Sequence, residues 1–551
     1  MYRVSIVLGL VVCGGVACHR PMRVRGDADD RVPLFAGMGT HARRVTTSSP
    51  EAQKYFNQGL VWTFAFNHDE AIRSFTQAAR LDPDCAMAWW GIALCHGPHI
   101  NNAEVTEASS LAACEALQKA LASAPLAGAV EQELITALSK RYACPPPADR
   151  KPLDQAYATA MREVWKRHPT DTDIGILYAE AMMDLRPWDL WTKDGKAQPG
   201  TEEIVAVLEE VLRLDPAHPG ANHLYIHAVE ASPQPLRALT AADRLRNLVP
   251  SAGHLVHMPA HIDIHAGQWK QASDTNERAI KADQKYRALS PKQDFYRMYM
   301  AHNHQFLTFS MMMEGRSNTA LKEARAMVAS IPSDWAKENM GIADGAMLYP
   351  IEVQMRFGRW DDVLREPAPA TYFPIATSFW HFARGIAYAA QGHLPEAERE
   401  QAAFREAVKH VPQDARVGNS PAYKVLTVAE QMLVGEVEFR RRNIDASVAA
   451  LRKAIAAEDD LNYDEPPDWL QPVRHTLGAV LVSAGRYPEA EAVYREDLKR
   501  WPENGWSLYG LASALRRGGS PAEADRVEKR FREAWKRADV RIGSSCLCVT
   551  N

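Results

Sequence analysis

Histidine is the side chain best suited to move a proton or hold a transition metal near neutral pH. This 551-residue sequence crowds it, with nine of its 19 histidines between His218 and His304. His223 and His227 stand four apart, as do His257 and His261, the spacing that puts two side chains on one face of a helix. His254 and His265 flank the second pair, and His302 and His304 follow. Packed neighbouring helices lie about 8–10 Å apart, a gap that facing imidazoles can span. The spacing therefore predicts a metal site with His223, His227, His254, His257, His261, His265, His302 and His304 as its candidate ligands. Glu180 and Glu230 are the candidate proton carriers beside it, with Asp184 bordering the same face. A shell of neutral imidazole with one or two carboxylates suits zinc or iron first, nickel or copper next, and can leave a position open for water.

Such ligands need helices to hold them, and repeats supply the helices. Tyr55, Gly59, Ala71, Phe75, Ala78 and Pro83 fall at positions 4, 8, 20, 24, 27 and 32 of a 34-residue unit. The order is aromatic, small, small, aromatic, small, proline. Small residues let two helices approach, bulky ones fill the space beside them, and the proline ends the second helix. Echoes follow at Gly385, Gly392 and Ala397, at Gly435, Ser447, Leu451 and Ala454, at Gly478, Gly485, Tyr487, Ala490, Tyr494 and Pro502, and from Trp506 to Phe531. The pattern resembles the tetratricopeptide repeat and covers nearly the whole chain after its first 50 residues. With no useful run of period-two alternation, the expected fold is all-α, a solenoid of tetratricopeptide-like helix pairs with insertions. The insertions are expected at Ala143–Pro152, at Arg186–Trp191 with the loop after it, and at Ala282–Phe295.

The resemblance also implies a register. Repeats ending at Pro216 and Pro250, 34 residues apart, put His223 and His257 at position 5, His227 and His261 at position 9, His254 at 2 and His265 at 13. Glu230 takes position 12, and Glu180 and Asp184 take 9 and 13 of the preceding unit. In tetratricopeptide folds these positions of the first helix line the concave groove. Pro259 interrupts one such helix, where it predicts a kink or a restart. Asp464, Glu465, Asp468 and Trp469 stand in an insertion that reads as a cap on the solenoid, or alternatively as a lid over its groove.

The N-terminus adds a destination. Met1-Tyr2-Arg3, an apolar run from Val4 to Val12 and small residues before Cys18 form an export signal that resembles a lipobox, with Cys18 lipidated and Gly15 where leucine is usual. The expected organisation is a signal over 1–18, a flexible tether over 19–49, N-terminal repeats over 50–142, central repeats over 143–345, C-terminal repeats over 346–540, and a tail over 541–551. The chain is thus expected in the cell envelope, on the periplasmic or outer side, touching a membrane only through its lipid. Cys85, Cys95, Cys114, Cys144, Cys546 and Cys548 are either buried thiols or disulfides, whose pairing the sequence leaves open. A net charge of −4 without basic runs leaves no footprint for nucleic acid. Neither a Gly-rich phosphate loop, nor a nucleophile elbow, nor an HExxH pair occurs, so kinase, serine-hydrolase and standard metalloprotease readings fall away. Two functions remain: a metal-dependent centre acting on a small molecule or peptide, and a metal-free scaffold that holds a protein or peptide in its groove.

Overall fold

The computed structural model describes residues 32–291 and 293–549, and nearly all of its regular secondary structure is helix. The signal segment and Cys18 lie outside the described residues. From Pro50 onward, helices pack in consecutive pairs, beginning with Pro50–Phe64 against His68–Leu81 and ending with Gly505–Arg517 against Pro521–Ala534. The one sheet among the described residues is a two-residue hairpin, Arg416–Val417 with Ser420–Pro421. The fold is an all-α tetratricopeptide-like solenoid. No helix among the described residues is long and apolar enough to cross a membrane.

The repeat pattern has a visible cause. Phe75 is fully buried between Gly59 and Gly91, and a Cβ on either glycine would sit 2.7 Å from its ring. Tyr494 is lodged in the same way between Gly478 and Gly510. Each aromatic ring fills the space that two glycines of successive first helices leave open, so the aromatic of one position requires glycine at the other.

The solenoid coils until distant repeats touch. Tyr286 and Ser290 both donate to Glu70, at 3.1 and 2.8 Å. Trp269 donates to the carbonyl of Pro502, and Trp506 to that of Met312, both at 2.8 Å. The first-helix surfaces of the central repeats are therefore interior rather than an open groove.

Two expectations change and one open alternative is decided. Residues 34–49, read as the end of a tether, lie fixed along the repeats. Arg43 bridges Asp171 and Asp173, His41 meets Asp173 at 2.9 Å, the Phe35 amide donates to Gln58, and Thr47 and Ser48 donate to Asp82. A polar segment poor in apolar residues has been anchored by charge-assisted hydrogen bonds, which composition does not reveal. The stretch from Ala282 to Phe295 is helical as far as Leu289, because the second helix of its repeat extends over Trp269–Leu289. Four cysteines pair, Cys114 with Cys144 and Cys546 with Cys548, while Cys85 and Cys95 are buried thiols.

Candidate metal centre

Three first helices of successive central repeats build the site. Pro219–Val229 carries His223 and His227, and its first turn is set by His218, whose side chain caps the amide of Ala221. The next first helix is split by Pro259 into Gly253–His257 and Pro259–His265, with Met258 still in right-handed helical geometry. His254 and His257 therefore lie on a helical segment, and His261 and His265 on its continuation. Arg297–Met313 carries His302 and His304.

Two triads result. His223, His227 and His254 each offer a ligand atom within 4.8 Å of the others, and so do His257, His261 and His302. Five of these rings are buried and His302 is partly so. Within the triads, Nε2 of His223 lies 3.1 Å from Nε2 of His254, and Nε2 of His257 lies 2.9 Å from Nε2 of His261.

The outward nitrogens are held by the chain. His223 Nδ1 donates to the carbonyl of Phe64 at 2.7 Å, His257 Nδ1 to Asn276 at 2.7 Å, His227 Nδ1 to Glu230 at 2.8 Å and His302 Nδ1 to Gln305 at 3.1 Å. The Asn276 amide nitrogen is occupied by the carbonyl of Ala272, which fixes its oxygen toward the ring. A ring that donates from Nδ1 keeps its Nε2 lone pair, the state a metal ligand requires. His227 Nε2 and His254 Nδ1 are buried without a hydrogen-bond partner.

Electrostatics sorts the rings into two kinds. Burial pushes His223, His254 and His257 well below the ordinary imidazole range, with neighbouring imidazoles adding to the effect. Burial and the charge of His261 bring His302 down to about 4. These rings are neutral at physiological pH. His261 goes the other way: burial opposes its charge, but Glu230 and Glu465 overcome this and hold it up at about 10. Its Nδ1 stands 2.8 Å from Glu230 and 2.9 Å from Glu465. Burial likewise opposes ionisation of both carboxylates, yet the imidazoles of His261 and His227 at Glu230, and of His265 and His261 at Glu465, lower them.

Not every expected residue joins. His265 stands at the edge, bonded to Glu465 at 2.5 Å rather than to another imidazole. His304 bonds Glu323 at 2.9 Å, on the far side of its helix from His302. Glu180 does not border the histidines. It is buried near Asp184, which pairs with Arg141, and burial with the Asp184 charge pushes it to about 8. The register was right for its helix but not for its surroundings, because Arg141 enters from another segment to claim Asp184.

Of the two readings of the insertion around Glu465, cap and lid, the fold adopts the second, bringing Glu465 onto His261 and His265 from about 200 residues away. The only trace of this in the sequence is an acidic cluster at an irregular place between repeats. Trp188 also packs on His227, with ring centroids 5.4 Å apart. Beside the cluster a cavity of about 610 Å³ exposes His227, His254, His261 and His302 to a wall of Trp188, Tyr299, Trp335 and Tyr349.

Family models described as tetratricopeptide repeat match residues 67–96 and 475–536, and a second matches residues 380–400. Those segments are tetratricopeptide repeats. No curated protein sequence matches the chain. Among solved structures it is similar to the human IFIT1 dimer with m7Gppp-AAAA, at 13% identity, TM-score 0.32, and coverage of 89% of this chain and 91% of that one. It is also similar to the APC/C hetero-tetramer Cut9-Hcn1, at 10% identity, TM-score 0.29, and coverage of 89% and 74%. At such identity and TM-score neither similarity assigns this chain a ligand.

Proposed function

We propose that this tetratricopeptide-repeat chain is an exported metalloenzyme, anchored by lipid at Cys18, that holds a first-row transition metal on its interior histidines. The observation that carries the reading is the set of anchored rings. Four histidines donate from Nδ1 to fixed acceptors, and of these His223 and His257 set Nε2 against another imidazole while His227 Nε2 is buried without a partner. Structural histidines have no need of shared orientation, whereas metal ligands are held in this way by the groups behind them. Zinc or iron suits the imidazole and carboxylate shell.

Catalysis rather than storage is favoured by access. The cavity of about 610 Å³ reaches four of the histidines and is large enough for a small organic molecule or a peptide side chain. A metal held there would supply Lewis-acid activation of water or substrate, while Glu230 and Glu465 stand behind His261 on its Nδ1 and orient the ring. The extended-peptide reading loses ground because the Glu465 insertion and Trp188 cover the central groove. The paired cysteines fit an oxidising compartment, which is where an exported chain would meet them.

The test is elemental analysis by plasma mass spectrometry of the mature protein, purified without a histidine tag or chelator, beside a His227→Gln/His257→Gln variant. Glutamine is chosen over alanine because the rings are buried and alanine would open a cavity. The expected result is a bound transition metal in the wild type that the variant lacks while its circular dichroism is unchanged. A wild type free of metal even after reconstitution would leave a metal-free scaffold whose partners bind elsewhere on the solenoid.

A further inference from the structure

Resting on that reading, we infer that the interior holds two metal ions rather than one, the first on His223, His227 and His254 and the second on His257, His261 and His302. A first-row ion binds imidazole nitrogen at about 2.0–2.1 Å, so tetrahedral ligands stand roughly 3.3 Å apart. The Nε2 pairs within the two groups, at 3.1 and 2.9 Å, each match one edge of such a polyhedron. Each triad independently brings three ligand atoms within 4.8 Å of one another. Three nitrogens supply each ion with three of its four tetrahedral positions, and His261, protonated in the metal-free chain, gives up its Nε2 proton when the second ion binds.

The chain itself divides the ligands. The His254–His257–His261 segment passes between the triads and gives one ring to the first and two to the second. The split falls between His254 and His257 within the piece Gly253–His257, and the second triad takes one ring from each side of the break at Met258–Pro259. Rings of the two groups abut, His227 to His261 at 5.8 Å and His254 to His257 at 5.9 Å between centroids. Glu230 ties them together: one oxygen takes His227 Nδ1 and the other lies on His261 Nδ1, both at 2.8 Å. A single carboxylate thus orients one ligand of each ion.

The surroundings make the two positions unequal. Phe66 stands over the first triad, 4.5 Å from His223 and 5.7 Å from His254 between centroids. Glu230 and Glu465 both stand on His261 of the second. The group of Glu230, His261 and Glu465 shares His261 with the second triad and so does not add a third ion.

The experiment is titration of the metal-free protein with Co(II), followed by its visible absorption, with elemental analysis of the loaded product. Two equivalents per chain are expected, and His254→Gln and His302→Gln should each retain one, with circular dichroism confirming the fold. A wild-type endpoint at one equivalent would overturn the inference while leaving the metalloenzyme reading in place. No Co(II) uptake at all would overturn both. Should either variant misfold, the wild-type endpoint alone decides between these outcomes.

Discussion

His475, in the C-terminal repeats, and His223, His227, His254, His257 and His261 of the central repeats are all buried, yet their nitrogens are used differently. His475 Nε2 donates to Asp497 at 2.9 Å and its Nδ1 accepts from Arg356 at 2.9 Å. Asp497 also accepts from Asn504 and Ser507, so both nitrogens of His475 are held in a connected polar group. In the central repeats Nδ1 of His223, His227, His257 and His302 is likewise bonded, but Nε2 of His223 faces His254, Nε2 of His257 faces His261, and His227 Nε2 and His254 Nδ1 have no hydrogen-bond partner. Burial alone does not separate a structural histidine from a ligand. The second nitrogen does, because a buried polar atom left unpaired costs about 1–3 kcal/mol unless something binds it.

That contrast can be broken in three ways. The largest effect is expected at the connected group. Asp497→Ala strands His475, Asn504 and Ser507 together and should cost about 3–5 kcal/mol in chemical denaturation, while leaving metal content unchanged. A loss of metal from this variant would mean that the two regions are not independent.

A smaller effect is expected at Glu180, which separates proton storage from the metal centre. Burial, with Asp184 adding and Arg141 opposing, raises its folded value to about 8 from an unfolded value near 4.5. Between those values the folded state keeps a proton that the unfolded state has lost, so stability falls as pH rises through the window and levels off above it. The slope is at most ~1.4 kcal/mol per pH unit. Glu180→Gln should make that fall shallower when denaturation midpoints are compared across the window, Asp184 and the other buried carboxyls keeping their share, and should leave metal content as in the wild type. Equal pH slopes in the two proteins would show that Glu180 ionises freely in the fold.

The smallest effect belongs to His304, which reads as a ligand by sequence and stands outside both triads. His304→Ala removes a partly exposed bond to Glu323 and should shift stability by no more than about 0.5 kcal/mol, with no change in metal stoichiometry. Loss of an ion from this variant would place His304 in the shell and redraw the second triad.

Much of this was legible from spacing. The Gly59–Phe75 and Gly478–Tyr494 pairings follow from the repeat, since a ring needs a glycine opposite it wherever two helices approach this closely. His223 with His227 and His257 with His261 follow from the pitch of the helix. The exclusion of His304 was legible too: two residues beyond His302 is roughly 200° around a helix.

The sequence by itself determined the elements and the faces on which most of the histidines stand, because helix pitch and repeat length act over a few residues. Only the tertiary structure decided which faces meet and what lies behind them. Glu465 reaches His261 and His265 because the C-terminal repeats coil back, the Phe64 carbonyl holds His223 because the first repeat lies against the central ones, and Arg141 draws Asp184 away beside Glu180. These contacts join residues far apart in the chain, and no periodic pattern records them, since each depends on the summed curvature of all the repeats between.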